Sequence, residues 1–223
     1  MDLPWAELDC VLLDMDGTLL DLNFDNHFWQ EHIPLRYAEA RAISLDEARA
    51  ELRSRYRERA ATLEWYSVDF WQSELDLDIM RLKEEVAHLI AVHPHVADFL
   101  DALRAAGKQI VLVTNAHEKS LALKMQRTGL AARFDTLISA HQLGLPKEDP
   151  AFWTRLQHRV PFVRSRTLLV DDNLAVLDSA RVWGMGRLLA VTRPDTRRAQ
   201  KPSDAYPGIV DFGELLAGLS RTG

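Results

Sequence analysis

The 223-residue chain holds a single cysteine, Cys10, so no disulfide can form within it. A lone thiol inside an apolar run is a packing residue first, and it points to the reducing cytoplasm. Positive charge is in deficit: 27 Lys and Arg face 33 Asp and Glu, for a net charge of -6. That balance excludes a global basic field for nucleic acid or anionic lipid. No apolar run approaches the ~20 residues that span a bilayer, so no membrane partner is expected. The opening MDLPWAELDC is acidic and lacks the basic region and apolar stretch of a secretory signal. Internal repeats, low-complexity tracts and long linkers are also missing. His93 and His95 flank Pro94 without the spacing of a metal-ligand pair. What remains is an ordinary globular composition, 47% hydrophobic and 27% charged, in a chain long enough for a core with an insert.

Five short runs read as strands: Cys10–Met15, Gln109–Thr114, Thr136–Ser139, Thr167–Asp171 and Arg187–Val191. They are nearly continuous in Val, Leu and Ile, as strands covered on both faces are. Helical segments alternate with the later ones and stop at Gly107, Gly129 and Gly184, while Asp149-Pro150 reads as an N-cap with a first-turn proline. Strands alternating with helices imply right-handed βαβ units and an α/β fold with a parallel sheet of about five strands. One segment breaks the rhythm. Residues 21–92 carry no convincing strand, and LDEARAELRSRYRERAATLEWY and MRLKEEVAHLI are helical in composition. The economical division is an all-helical insert at 21–92 in a Rossmann-like core made of 1–20 and 93–223. The polar stretch 193–207 is expected to be a surface excursion before a last short helix near 212–219.

In an open parallel sheet, ligands bind beyond the carboxyl ends of the strands. At those ends stand Asp14, Asp16 and Thr18 (first strand), Thr114 and Asn115 (second), and Asp171, Asp172 and Asn173 (fourth), with Lys147 shortly before the fourth. Four acids, a hydroxyl and a lysine therefore meet on one rim. Packed carboxylates repel one another, and a hard divalent cation with oxygen ligands relieves that; Mg2+ is the default where phosphate is also handled. Gly17 follows Asp16 directly, which rules out a calcium EF-hand loop and suits a sharp turn whose backbone approaches a ligand.

DMDGTLLD, VLVTN, the lysine of LPKEDP, and LLVDDN resemble, in order, the four motifs of the haloacid dehalogenase-like hydrolase superfamily, with residues 21–92 in the position of its first-type helical cap. The segments DMDGTLLDLNFDNHFW, LEWYSVDFW, LVTNAH and PKEDPAFW further resemble the purine-nucleotide 5'-nucleotidase branch, which acts on GMP and IMP. The resemblance implies a phosphomonoesterase with a small-molecule phosphomonoester as substrate. Asp14 would be the nucleophile and Asp16 the general acid and base. Thr114, Asn115, Lys147 and the Gly17 backbone would bind phosphate. Mg2+ would be held by Asp14, the backbone carbonyl of Asp16, Asp172, and Asp171 through water. Asp16 would need an upward pKa shift, with its carboxylate neighbours as the expected cause.

The insert is less legible. Arg49, Arg53, Arg55, Arg57 and Arg59 spread around a helix and read as a solvated face. Trp65, Tyr66, Phe70 and Trp71 read as core aromatics, and are also the best local material for a base slot. Asn23, Asp25, His27 and His117 could face the leaving group. Rival readings are a sugar-phosphate phosphatase or phosphomutase, which shares the motifs and differs in its cap, and a phospho-accepting signalling module. In such a module the accepting Asp follows an acidic pair on an earlier strand, whereas here the nucleophile candidate comes first.

Overall fold

Alternation within each strand divides the core into two layers. Val11, Leu13, Ile110, Leu112, Leu168 and Val170 are buried on one face of a sheet, and Cys10, Leu12, Val111, Val113 and Leu169 on the other. The computed structural model describes residues 3–219. Its strands are β1 (Cys10–Leu13), β2 (Gln109–Thr114), β3 (Thr136–Ser139), β4 (Thr167–Asp171), β5 (Arg187–Val191) and β6 (Gly208–Ile209). All pair in parallel, in the order β3-β2-β1-β4-β5-β6. The helices are α1 (Asn23–His27), α2 (Ile33–Arg41), α3 (Leu45–Arg59), α4 (Leu63–Tyr66), α5 (Val68–Leu75), α6 (Ile79–Glu85), α7 (Val96–Ala105), α8 (Glu118–Thr128), α9 (Pro150–Arg159), α10 (Leu174–Trp183) and α11 (Gly213–Leu219). Phe99, Leu100 and Leu103 of α7 and Phe212 and Leu215 beside and within α11 cover the first face. Phe152, Trp153 and Leu156 of α9 and Val176, Leu177 and Ala180 of α10 cover the second. Cys10 is sealed in that second layer, where burial pushes its thiol up to about 12.

The sheet has six strands rather than five. The added one is two residues long, next to Pro207, and pairs Gly208 with Ala190 and Ile209 with Val191; so short a strand carries no readable period. β1 ends at Leu13 rather than Met15, because Met15 to Leu20 fold into a tight turn in which Leu20 N–H donates to Met15 O at 2.8 Å and Gly17 N–H to Leu20 O at 2.7 Å.

Residues 23–89 hold helices and no strand, and a third apolar cluster is theirs: Phe24, Phe28, Trp71, Leu75, Ile79 and Leu82 are among its buried members. A π-turn at Phe28–His32 joins α1 to α2. α3 starts in a capping box, where Ser44 Oγ accepts from Glu47 N–H and the Glu47 carboxylate accepts from Ser44 N–H at 2.9 Å. Of its arginines, Arg49, Arg55 and Arg59 pair with acids, Arg55 with Glu51 at 2.6 Å and Glu74 at 2.9 Å, while exposed Arg53 and Arg57 donate to backbone carbonyls. The two connections to this helical segment run side by side: Asp21 N–H donates to Ala91 O at 2.9 Å and His93 N–H to Leu19 O at 3.0 Å. The stretch expected to be a surface excursion clamps them. Pro194 O accepts from Leu22 N–H at 2.8 Å, and Asp195, only 4% exposed, accepts from Asn26 Nδ2 at 2.7 Å. Most of 193–207 is exposed, as expected of a surface excursion, with Asp195 and Tyr206 as its buried members.

Candidate active site

The chain runs β1, β2, β3 to one side of the sheet and then β4, β5, β6 to the other, so the crevice of the strand-order reversal lies at the carboxyl ends of β1 and β4. Asp14 follows β1 with its N–H donated to Val170 O at 3.1 Å, and Asp171 closes β4. Lys147 bridges them. Its ammonium donates to Asp14 Oδ1, to Asp171 Oδ2 at 2.7 Å and to Val113 O at 3.1 Å, and all three residues are buried. One carboxylate oxygen each from Asp14, Asp171 and Asp172 falls within 4.8 Å of the others. Three acids against one lysine leave this cluster short of positive charge. Burial accordingly pushes Asp14 up to about 7, with Asp171 adding to the rise and Lys147 opposing it. Asp172 is raised well above the usual carboxylate range by burial and by the charges of Asp171 and Asp14. The two acids hold Lys147 above its ordinary value against a burial that works to lower it. Thr114, 2% exposed at the end of β2, accepts from Ala116 N–H at 3.0 Å through Oγ1, which leaves its own proton free to donate. Gly17, at φ +82, makes the close turn possible: a Cβ there would stand 2.6 Å from Asp172 Oδ2.

Asp16 stands in different surroundings. Its carboxylate turns to Lys124 Nζ at 2.6 Å instead of joining the three clustered oxygens, so only its backbone is left for the metal role given to it above. Lys124, 1% exposed on α8, also reaches Asp25 Oδ2 at 2.6 Å, and Asp25 Oδ1 lies 3.4 Å from Lys83 Nζ on α6. Burial, followed by the charge of Asp25, pushes Asp16 up to about 6, while Lys124 works against the rise. The shift has the expected direction, but burial is its first cause and the clustered acids are not. Asp25 goes the other way: burial would raise it, and Lys124 and Lys83 hold it below the ordinary range.

Behind this rim lies a hub that the motifs did not reveal. Glu148 accepts from Asn115 Nδ2 at 2.8 Å, from Tyr66 OH at 2.7 Å and from Asn173 Nδ2 at 3.2 Å, so one carboxylate ties the ends of β2 and β4 to α4. Asn115 in turn accepts from Lys147 N–H at 2.8 Å, and it serves as a strut for the lysine more directly than as a phosphate contact. Of the residues suggested for the leaving-group side, Asp25 and His117 line a cavity next to Asp16. Asn23 backbone N–H instead donates to Asp21 Oδ1 at 3.0 Å, and the His27 ring stacks near His32 at 6.4 Å. Trp71 is fully buried and donates to Trp65 O at 2.8 Å, whereas Trp65 and Tyr66 reach the cavities.

The family model described as haloacid dehalogenase-like hydrolase matches residues 8–184. The chain belongs to that family and is an enzyme of the hydrolase class. It is 40% identical over 219 residues to the GMP/IMP nucleotidase YrfG of Escherichia coli (strain K12), covering 98% of this chain and 99% of the relative. It is 24% identical to (S)-2-haloacid dehalogenase 2 of Pseudomonas sp. (strain CBS-3), over 94% of this chain and 96% of the relative. Among solved structures, a HAD phosphatase from Thermococcus onnurineus superposes with a TM-score of 0.78 at 25% identity, covering 93% of this chain and 96% of that one. No helix among the described residues is long and apolar enough to cross a membrane.

Proposed function

We propose that the protein is a cytoplasmic, Mg2+-dependent phosphomonoesterase that works through an aspartyl phosphate, and that its substrates are purine nucleoside 5'-monophosphates, GMP and IMP. The observation that carries this reading is the division of labour between two neighbouring aspartates: Asp14 lies in the lysine-bridged acid cluster, and Asp16 is drawn aside by Lys124 with its pKa up at about 6. A haloacid dehalogenase needs no proton carrier beside its nucleophile. The full-length likeness to a GMP/IMP nucleotidase supports the substrate class. In this reading residues 1–20 and 93–223 are the catalytic core and 21–92 the cap, a division supported by the separate apolar cluster of the helical segment.

An Asp14 carboxylate oxygen attacks phosphorus as the bond from phosphorus to the ribose oxygen breaks, and Asp16 donates its proton to that leaving oxygen. Water then attacks the aspartyl phosphate and gives a proton to Asp16, the phosphorus–Asp14 bond breaks, and inorganic phosphate leaves. Thr114 donates its free hydroxyl proton to a phosphoryl oxygen, and Lys147 offsets charge on Asp14 and the phosphoryl group. The all-oxygen set of Asp14, Asp171 and Asp172, which is short of compensating charge, fits a hard cation. Mg2+ held there with the Asp16 carbonyl would neutralise charge on the phosphoryl oxygens.

That fit has a consequence for stability. Asp14 and Asp16 rise from 3.8 to about 7 and about 6 on folding, so between these values the native state binds more protons than the unfolded one. Their contribution is fully present below pH ~4 and is lost as pH rises to ~7. Metal-free protein is therefore expected to melt lower at pH 8 than at pH 5.5, and Mg2+ to restore several degrees at pH 8. A melting temperature at pH 8 that ignores Mg2+ would refute the cation site.

The substrate assignment is tested by phosphate release across nucleoside monophosphates and sugar phosphates, with Mg2+ and with a chelator. The expected result is release from GMP and IMP that the chelator abolishes. A preference for a sugar phosphate, or phosphate transfer to a second sugar hydroxyl, would overturn the nucleotidase assignment.

A further inference from the structure

Beside Asp16 a second chamber of about 150 Å³ opens. It shares Asp16, Leu22, Tyr66 and Ala116 with the cleft of about 360 Å³ over the acid cluster, so the two adjoin at the proton carrier. Trp29 and Trp65 line it, with ring centroids 6.1 Å apart and planes inclined by 32°. His117 and Ser120 add polar groups, and Val68, Lys83 and Asp25 complete the lining.

Lys83 is the unusual member. It is 2% exposed, and its one hydrogen bond among the described residues is the 3.4 Å contact to Asp25 Oδ1. Otherwise its ammonium lies against aromatic rings, 4.3 Å from the centroid of Phe28, 5.1 Å from Phe24 and 5.6 Å from Trp29. An ammonium carries three N–H donors, so a long contact to one carboxylate leaves donors unmatched at a cavity wall. Burial pulls its pKa down to about 8, in keeping with that incomplete compensation. Asp25 has a shorter partner in Lys124, at 2.6 Å.

A ligand for this chamber must be flat enough to lie along two indoles and must present an acceptor to a buried donor. A nucleotide with phosphorus at Asp14 and its ribose oxygen at Asp16 continues past Asp16 in this direction. At position 6 a guanine-type base offers a carbonyl acceptor, where adenine offers an amino donor that would face the ammonium donor to donor. Resting on the nucleotidase reading, we infer that this chamber holds the base and that Lys83 reads the 6-oxo group, which GMP and IMP share and AMP lacks.

The test is kcat/KM for IMP, GMP and AMP in the wild type and in Lys83→Met. A buried donor left facing the wrong group costs at least ~10-fold, so the wild type should favour IMP and GMP over AMP by that factor or more, and the variant should bring the ratio to within ~3-fold. The ratio is independent of the amount of folded enzyme. Equal use of all three nucleotides by the wild type, or an unchanged ratio in Lys83→Met, overturns the inference. If the variant does not fold, calorimetric titration of wild-type enzyme with inosine and with adenosine decides: tighter inosine supports the inference, and equal affinities overturn it. A wild type that spares every nucleotide and cleaves sugar phosphates fails the nucleotidase reading itself, which is a different result from a nucleotidase indifferent to position 6.

Discussion

Asp14→Asn is expected to remove turnover, with kcat lower by at least ~10⁴-fold, while the protein stays folded. The amide has nearly the shape of the carboxylate but no anionic oxygen to attack phosphorus. Lys147 keeps Asp171 and Val113 O as partners, so the substitution does not strand a buried ammonium. It also removes one negative charge from a cluster whose acids are pushed upward by burial and by each other. The metal-free variant should therefore melt no lower than the metal-free wild type at pH 8. Loss of activity together with equal or higher thermal stability separates a nucleophile from a structural residue. Full retention of phosphate release would sink the aspartyl-phosphate mechanism.

Asp16→Asn is expected to divide by leaving group. With a nucleotide, the ribose oxygen leaves as a poor alkoxide unless it is protonated, and loss of general acid catalysis costs ~10²–10⁴-fold in kcat. With p-nitrophenyl phosphate the phenolate leaves unaided, so the first step survives, and the second step still lacks its base. The expected trace is a rapid release of about one equivalent of nitrophenol per enzyme, followed by a slow phase. Uniform loss on both substrates without a burst would take Asp16 out of proton transfer.

The core was readable because its chemistry stands at the ends of strands, and strands announce themselves as apolar runs. With the runs Cys10–Met15, Gln109–Thr114 and Thr167–Asp171 as parallel strands, Asp14, Thr114 and Asp171 share a rim. What stayed hidden depends on contacts distant in sequence. Lys124 lies four residues after Ser120 and three after Leu121, on the buried stripe of α8, where a lysine is an anomaly. Its partner Asp16 is 108 residues earlier, and no local pattern records that pairing. Glu148 follows Lys147 directly and could be taken for a helix lead-in, because its three partners come from Tyr66, Asn115 and Asn173. In the helical segment, periodicity distinguishes inward from outward faces but not which aromatic ends at a cavity. Trp65 and Trp71 therefore looked alike from sequence, and only Trp71 is wholly buried. Asp195 is a further long-range partner, a buried acid in a mostly exposed polar stretch, joined to Asn26 169 residues earlier.

The strand order has a further consequence. The three strands that deliver Thr114, Asp14 and Asp171 are β2, β1 and β4, neighbours in the middle of the sheet, with β3 and the β5-β6 pair outside them. Local opening starts where contacts are few, at edges and ends, and the centre of a ladder yields last. Fraying of β3 or β6 thus leaves the proposed reacting groups in register, and catalysis and sheet are expected to be lost together on heating. The helical segment has its own apolar cluster, apart from the two that cover the sheet. On the proposed reading, in which the helical segment selects the substrate, a population with that segment loosened is expected to lose discrimination between substrates before chemistry.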